Sequence, residues 1–243
     1  MNKVIEPVEG RIEMYGRMRN LGIAVALMGI LFVGAGAFAF AKSYEGYNSL
    51  NALSAAQDVK LSYNDQGQLV DHGDAASAQA ILGILRDDWK YPVNMADLNP
   101  NDPVVNTATE FMYQMATITH HIKDGTQTVV LSQDVTAADG TVYKAGTYEF
   151  AVDGRYFSQF NRANPIEAKA RDQAWSPTGL ALISNLGVGT ATATALQLGF
   201  GIAGLFAGIG LFALLTGLGL VWVARSLREP AVKPAFQARP IPA

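Results

Sequence analysis

Apolar positions along the chain fall into two unbroken runs, and between them lies a patterned middle. From Asn20 to Ala41 no side chain ionises, and Leu21 to Phe40 is built of Leu, Ile, Val, Ala, Phe, Met and Gly. A helix needs about 20 such residues to cross a hydrocarbon core of about 30 Å, so this run predicts a transmembrane helix. The second run lacks ionisable side chains from Gln173 to Ala224 and is most apolar from Leu198 to Val223. Counting back about 20 residues from Arg225 sets the membrane-crossing part near Leu205 to Ala224. Thr190, Thr192, Thr194 and Gln197 then fall at or above the interface, and residues 191–198 continue the same helix outward. A third crossing over residues 179–199 is disfavoured by Ser184, Asn185, the three threonines and Gln197, and no polar turn separates it from the next span.

The middle alternates helical and strand-like pieces and predicts one α+β domain. Tyr44 to Ala56 continues the first span as helix. Val59–Tyr63 and Gln68–His72 pair as a hairpin around Asn64-Asp65-Gln66-Gly67. Asp74 caps a helix from Ala75 to Arg86 whose Ala78, Ile81, Leu82 and Leu85 share one face at 3.6-residue spacing. Asn101 or Asp102 before Pro103 predicts a helix from Pro103 to about Ile122, with Phe111, Met112, Met115 and Ile118 inward. Strands follow at Thr126–Asp134, Thr141–Tyr143, Thr147–Val152 and Arg155–Phe160, with tight turns at Asp139-Gly140 and Asp153-Gly154. Asn164-Pro165-Ile166-Glu167 starts a short helix, and Ser176-Pro177 starts another that leads to the second span.

Charge gives the orientation. Lys3, Arg11, Arg17 and Arg19 flank the first span, and Arg225, Arg228, Lys233 and Arg239 flank the second. Lys and Arg are retained on the cytoplasmic side, so both termini are expected there. The segment 42–172 holds 10 Lys and Arg against 17 Asp and Glu and is expected outside. The organisation predicted is a membrane protein of two transmembrane α-helices flanking one extracytoplasmic α+β domain. Its parts are a cytoplasmic leader (1–19), a first span (20–41), the outer domain with helical stalks (42–190), a second span with its outward extension (191–225) and a disordered cytoplasmic tail (226–243). Within the leader, residues 7–20 read either as an interfacial helix, with Val8, Ile12 and Tyr15 on one side, or as disordered. Ala37-Phe38-Ala39 and Ala39-Phe40-Ala41 have the form of signal-peptide cleavage sites, but the apolar run exceeds the length usual for such peptides and favours an uncleaved anchor.

Composition narrows the chemistry. A formal net charge of -3 gives no general attraction to nucleic acid, and the absence of cysteine excludes disulfides, thiolate metal sites and cysteine nucleophiles. The only histidines are His72, His120 and His121. Neighbours on a helix point about 100° apart, so His120 and His121 chelate one ion together only if the helix ends there, as Lys123-Asp124-Gly125 just beyond suggests. A metal site from one of them with His72, Asp71 or Glu110 is the candidate, against ordinary surface histidines. Arg86-Asp87-Asp88-Trp89-Lys90 places two carboxylates beside an indole and reads either as an acid pair or as a charged helix end. Gly199-Phe200-Gly201-Ile202-Ala203-Gly204 spells a dinucleotide fingerprint but follows no strand, so it is discounted. No cofactor is expected, and neither span holds an ionisable residue for a proton or ion pathway.

Ala191, Ala195, Gly199, Ala203 and Ala207 recur every four residues, and Gly204 and Gly208 form a GxxxG pair. Small residues on one face let helix backbones approach closely in lipid. Gly22, Ala26, Gly29 and Gly36 give the first span a weaker version. This face is expected to pack the two spans together or to receive another protein.

The plan of a short leader, a Gly/Ala-rich first span, an outer domain with the segment Met95-Ala96-Asp97-Leu98-Asn99-Pro100-Asn101-Asp102-Pro103 and a Gly-rich last span resembles small actinobacterial two-span membrane proteins. These often carry the label aromatic ring-opening dioxygenase. The label implies a non-haem iron site, for which the sequence displays no evident ligand set. The functional expectation is a non-catalytic accessory membrane protein, with the lipid bilayer and a membrane protein partner or a second copy as its associates. The alternatives are an extracytoplasmic module that binds a small ligand or an envelope component, and an enzyme using His72, His120 or His121 with the acidic residues.

Overall fold

A computed structural model describes the backbone of residues 6–227 and the side chains of residues 13–227; residues 1–5 of the leader and residues 228–243 of the tail expected to be disordered over 226–243 lie outside the described residues, while Ser226 is the last residue of a helix. The chain divides into two compact units, Met1–Tyr44 with Leu198–Ala243, and Glu45–Gln197. Two helices thread both. Helix α1 spans Glu6–Gln57 without a break, and α5 spans Pro177–Ser226. Both are long and apolar enough to cross a membrane. The second neutral run is therefore one helix, and residues 179–199 form no crossing of their own.

In the first unit α1 and α5 run antiparallel, and glycine decides their contact. A Cβ on Gly22 would meet the Gly217 carbonyl oxygen at 2.7 Å. One on Gly29 would meet Leu214 N at 2.5 Å, and one on Gly36 would meet the Ala203 carbonyl oxygen at 2.9 Å. The reverse holds from α5, where Gly210 faces Val33 N and Gly217 faces Ala26 N. The buried positions are Gly22, Gly29, Gly36 and Ser43 on one helix and Ala203, Gly210, Gly217 and Ala224 on the other. Each set recurs every seven residues, the repeat that keeps a seam facing its partner in a left-handed pair. Phe32 with Phe206 and Phe40 with Phe200 close the sides of the seam, with ring centroids 5.6 and 5.5 Å apart. Away from it, Leu31, Phe38, Phe212 and Trp222 are among the most exposed apolar side chains. A helix pair that is apolar on its outer surface suits lipid and not water.

The small residues at four-residue spacing on α5 divide between two surfaces. Gly199, Ala203 and Ala207 do meet α1, at Ser43 and Gly36. Gly204 and Gly208 have nothing within 4 Å and point away from the seam, while Ala191 and Ala195 are exposed. Within the seam, Gly210 and Gly217 recur at seven-residue spacing.

The second unit combines helices with three separate two-stranded antiparallel ribbons. Strands β1 (Ser62–Tyr63) and β2 (Leu69–Val70) form the expected hairpin, shorter than read from the sequence. Asp74 caps α2 (Ala75–Gly83) by accepting from the Ala76 and Ser77 N–H groups, and Ala78, Ile81, Leu82 and Leu85 are buried as its periodicity requires. The helix then widens into a π-helical turn, Ile84–Asp88. Helix α3 occupies Ala108–Asp124, not Pro103 onward. The Pro103 carbonyl instead accepts from Leu61 N at 2.8 Å, and Val105 N donates to the Val59 carbonyl at 2.9 Å. That extended pairing pushes the helix start to Thr107, where a capping box with Glu110 closes it. The inward face of α3 is Phe111, Tyr113, Ala116 and Thr119, whereas Met112, Met115 and Ile118 are only half-buried.

Strand β3 (Thr126–Leu131) pairs with β6 (Gly146–Ala151), and β4 (Val135–Thr136) with β5 (Val142–Tyr143) forms a small hairpin between them in sequence. The strand expected at Arg155–Phe160 is absent. Asp153-Gly154 turns the chain, but Gly154 N donates back to the Lys123 carbonyl at 2.9 Å, so the turn binds the end of α3 in place of a partner strand. A short 3₁₀ turn, Phe157–Gln159, follows and lets Phe160 enter a small core with Val152, Ala174 and Trp175. Helix α4 (Pro165–Ala174) starts at Asn164 as expected and lays Ala170 on Val129 and Leu131.

Candidate functional site

The Asp71–Asp74 segment follows β2 as a two-residue reversal. Asp71 N donates to the Asp74 carbonyl at 2.9 Å and Asp74 N to the Asp71 carbonyl at 2.8 Å. His72 and Gly73 between them take φ values of 48 and 86. Glycine adopts that region freely, but histidine does so at a cost of about 1–2 kcal/mol. The reversal holds the His72 ring beside the last turn of α3.

There the rings of His72 and His121 stack, with centroids 4.8 Å apart and planes at 17°. His121 Nε2 lies 3.2 Å from Asp71 Oδ1. The Ser77 hydroxyl, in the first turn of α2, donates to the other carboxylate oxygen, Asp71 Oδ2, at 2.6 Å, and its oxygen lies 3.3 Å from His120 Nε2. The three histidines thus gather around one buried carboxylate from two parts of the chain about fifty residues apart. His120 and His121 still diverge, with centroids 5.5 Å apart and planes at 53°, as neighbours on a helix must. His121 faces Asp71 and His72, and His120 faces Ser77. Glu110 is not in this group: its carboxylate accepts from the Asn106 and Thr107 N–H groups at 2.9 and 2.8 Å.

Electrostatics fit that arrangement. Burial acts to raise the Asp71 carboxyl pKa, but the hydrogen bonds from Ser77 and His121 and the charge of the neighbouring histidines outweigh it and hold the group below its ordinary value. One ligand atom each from Asp71, His72 and His121 lie within 4.8 Å of one another; Asp71 is buried and both histidines are exposed. Such a set offers two nitrogens and one oxygen on an accessible surface. Ser77 is the member that sequence reasoning misses, since a serine near a helix start carries no distinguishing signal of its own.

The acid pair is placed elsewhere. Asp88 Oδ2 accepts from the Tyr156 hydroxyl at 3.1 Å and from Lys123 Nζ at 3.2 Å, and Trp89 Nε1 donates to the Tyr156 oxygen at 3.1 Å. Lys123 also sits over the Tyr156 ring, 4.1 Å from its centroid. The charged end of α2 is therefore a tie to the segment after β6. A cavity of about 220 Å³ lies nearby, lined by Ala80, Ile84, His120, Lys123, Asp124 and Gly154.

Among the described residues, the cluster of Asp71, His72 and His121 is the group of three ligand-bearing side chains arranged for a shared ion. No protein-family model, curated protein or solved structure matches the chain.

Proposed function

We propose that the protein is a membrane-anchored binding module, in which two spans hold a mixed helical and small-sheet domain outside the cytoplasm. The observation that carries this reading is the gathering of Asp71 with the three histidines at the surface of that domain. An exposed ring costs little to leave in water, whereas here a strained His72 backbone and a buried carboxylate are maintained together. Placement outside follows from the basic residues flanking both apolar runs and the acidic middle between them.

The chain has no cysteine, so single introduced thiols report its placement cleanly. Asp139→Cys in the exposed β4–β5 hairpin is expected to react with a membrane-impermeant maleimide in intact cells. Arg239→Cys is expected to react only after permeabilisation. The opposite pattern removes the outer module.

A second reading, an accessory subunit of a larger membrane complex, is favoured by one observation. Gly201, Gly204 and Gly208 meet no neighbour within 4 Å, so the seam with α1 leaves them unused. Native mass spectrometry of the gently extracted protein is expected to show a reproducible companion if this holds, and a monodisperse lone chain argues against it.

A further inference from the structure

Asp71, His72 and His121 present their donors from two elements that approach independently, a tight reversal after β2 and the last turn of α3. We propose that these three side chains bind a divalent transition-metal ion, zinc foremost, in the outer domain. The proposal names the ligand of the cluster on which the binding-module reading rests.

The donor set argues for the class of ion. Two imidazoles and one carboxylate suit zinc and its first-row neighbours, while calcium and magnesium want six or more oxygens. Donors around a tetrahedral zinc at about 2.1 Å stand about 3.4 Å from one another. The Asp71–His121 separation is already 3.2 Å, and no pair in the set exceeds 4.8 Å. Reaching that spacing requires the exposed His72 ring to leave its stack with His121. The ion takes the position between Asp71 Oδ1 and His121 Nε2, which lie 3.2 Å apart.

The surroundings prepare the ligands. The Ser77 hydroxyl occupies Asp71 Oδ2, which leaves Oδ1 to bind through one oxygen. His120 stands behind Ser77 at 3.3 Å and steadies the hydroxyl without reaching the ion. Partners of this kind fix the orientation of metal-binding carboxylates, and their loss typically weakens binding about 10- to 100-fold. Three protein ligands leave at least one coordination position for water or for a group of an incoming molecule. The buried carboxylate lies beneath and both imidazoles are exposed, so that position faces solvent.

The test uses the full-length protein in detergent, purified through a tag free of histidine, and titrates zinc ion alone against a chromogenic chelator. Cobalt(II) in place of zinc reads the coordination by its visible absorption. Wild-type protein is expected to bind one ion per chain saturably. His121→Gln and His72→Asn are each expected to weaken it at least about 100-fold, beyond the loss from Ser77→Ala of about 10-fold. Asparagine keeps the left-handed backbone that His72 adopts, so an unchanged circular dichroism spectrum certifies the fold of that variant. Absence of saturable binding, or binding that survives both histidine substitutions, overturns the metal site. Neither result depends on which side of the membrane the domain lies, so the metal site and the outer placement fail separately.

Discussion

Glu110 shows how a single buried carboxylate writes a pH dependence into the domain. Burial is the largest influence on it and raises its pKa above the ordinary 4.5, against the Asn106 and Thr107 donors, with Asp102 adding in the same direction as burial. The folded state therefore holds this proton more tightly than the unfolded chain does. The associated stability is complete below pH 4.5 and is lost as pH rises through the folded-state value. Glu110→Gln keeps an acceptor for the two N–H groups and removes the titration. The variant is expected to gain thermal stability relative to the wild type steadily as pH rises from 4.5, in detergent-solubilised full chain followed by tryptophan fluorescence. A difference that stays flat with pH contradicts the account. Tyr63 is another group displaced by burial, with its hydroxyl pushed up to about 12, and it stays protonated throughout that range. Single residues were legible where the signal is local: Asp74 and Asn164 cap the helices their sequence neighbours announce. Thr107-Ala108-Thr109-Glu110 spells a capping box just as locally, yet Pro103 offered a rival start, and only the pairing of residues 103–105 with 59–61 decides between them.

Among the elements, the α1–α5 seam makes the firmest demand on side-chain size. Gly29→Leu places a branched chain where even a Cβ would meet Leu214 N at 2.5 Å and the Gly210 carbonyl oxygen at 2.7 Å. Overpacking of this kind costs about 1–3 kcal/mol, and the helices must separate to relieve it. Cysteines at Phe32 and Phe206, whose rings are 5.6 Å apart, are expected to cross-link under mild oxidation in membranes, and Gly29→Leu is expected to cut the yield severalfold. An unchanged yield removes the seam. The spans were legible because a long uncharged apolar run finds a favourable surrounding in hydrocarbon and seldom anywhere else. The identity of the packing glycines was not: a glycine every four residues and a glycine every seven coexist on α5, and only the partner helix selects between them. The missing strand at Arg155–Phe160 teaches the same lesson, since Asp153-Gly154 is a turn by composition, but what the returning chain meets is set by α3. The metal candidate was half legible. The adjacent histidines and Asp71 were visible, but a contact across fifty residues depends on where the β2 reversal comes to rest.

At the level of the whole molecule, two helices long and apolar enough to cross a membrane account for the low charge content of the chain and for its exposed apolar side chains such as Phe212 and Trp222. Alkaline carbonate washing of cell membranes is expected to leave the protein in the pellet, and its release into the supernatant would remove the anchor. The seven-residue rhythm of the seam carries one more consequence. The close approach rests on Gly22, Gly29 and Gly36 lying opposite Gly217, Gly210 and Ala203 in this one register, so sliding one helix past the other by a single turn takes the small residues out of opposition. The next tolerated position is seven residues away, about 10 Å along the axis at helical rise. A helix pair so notched does not act as a piston: a signal passing along α1 and α5 has to travel by some route other than axial displacement of one helix against its neighbour.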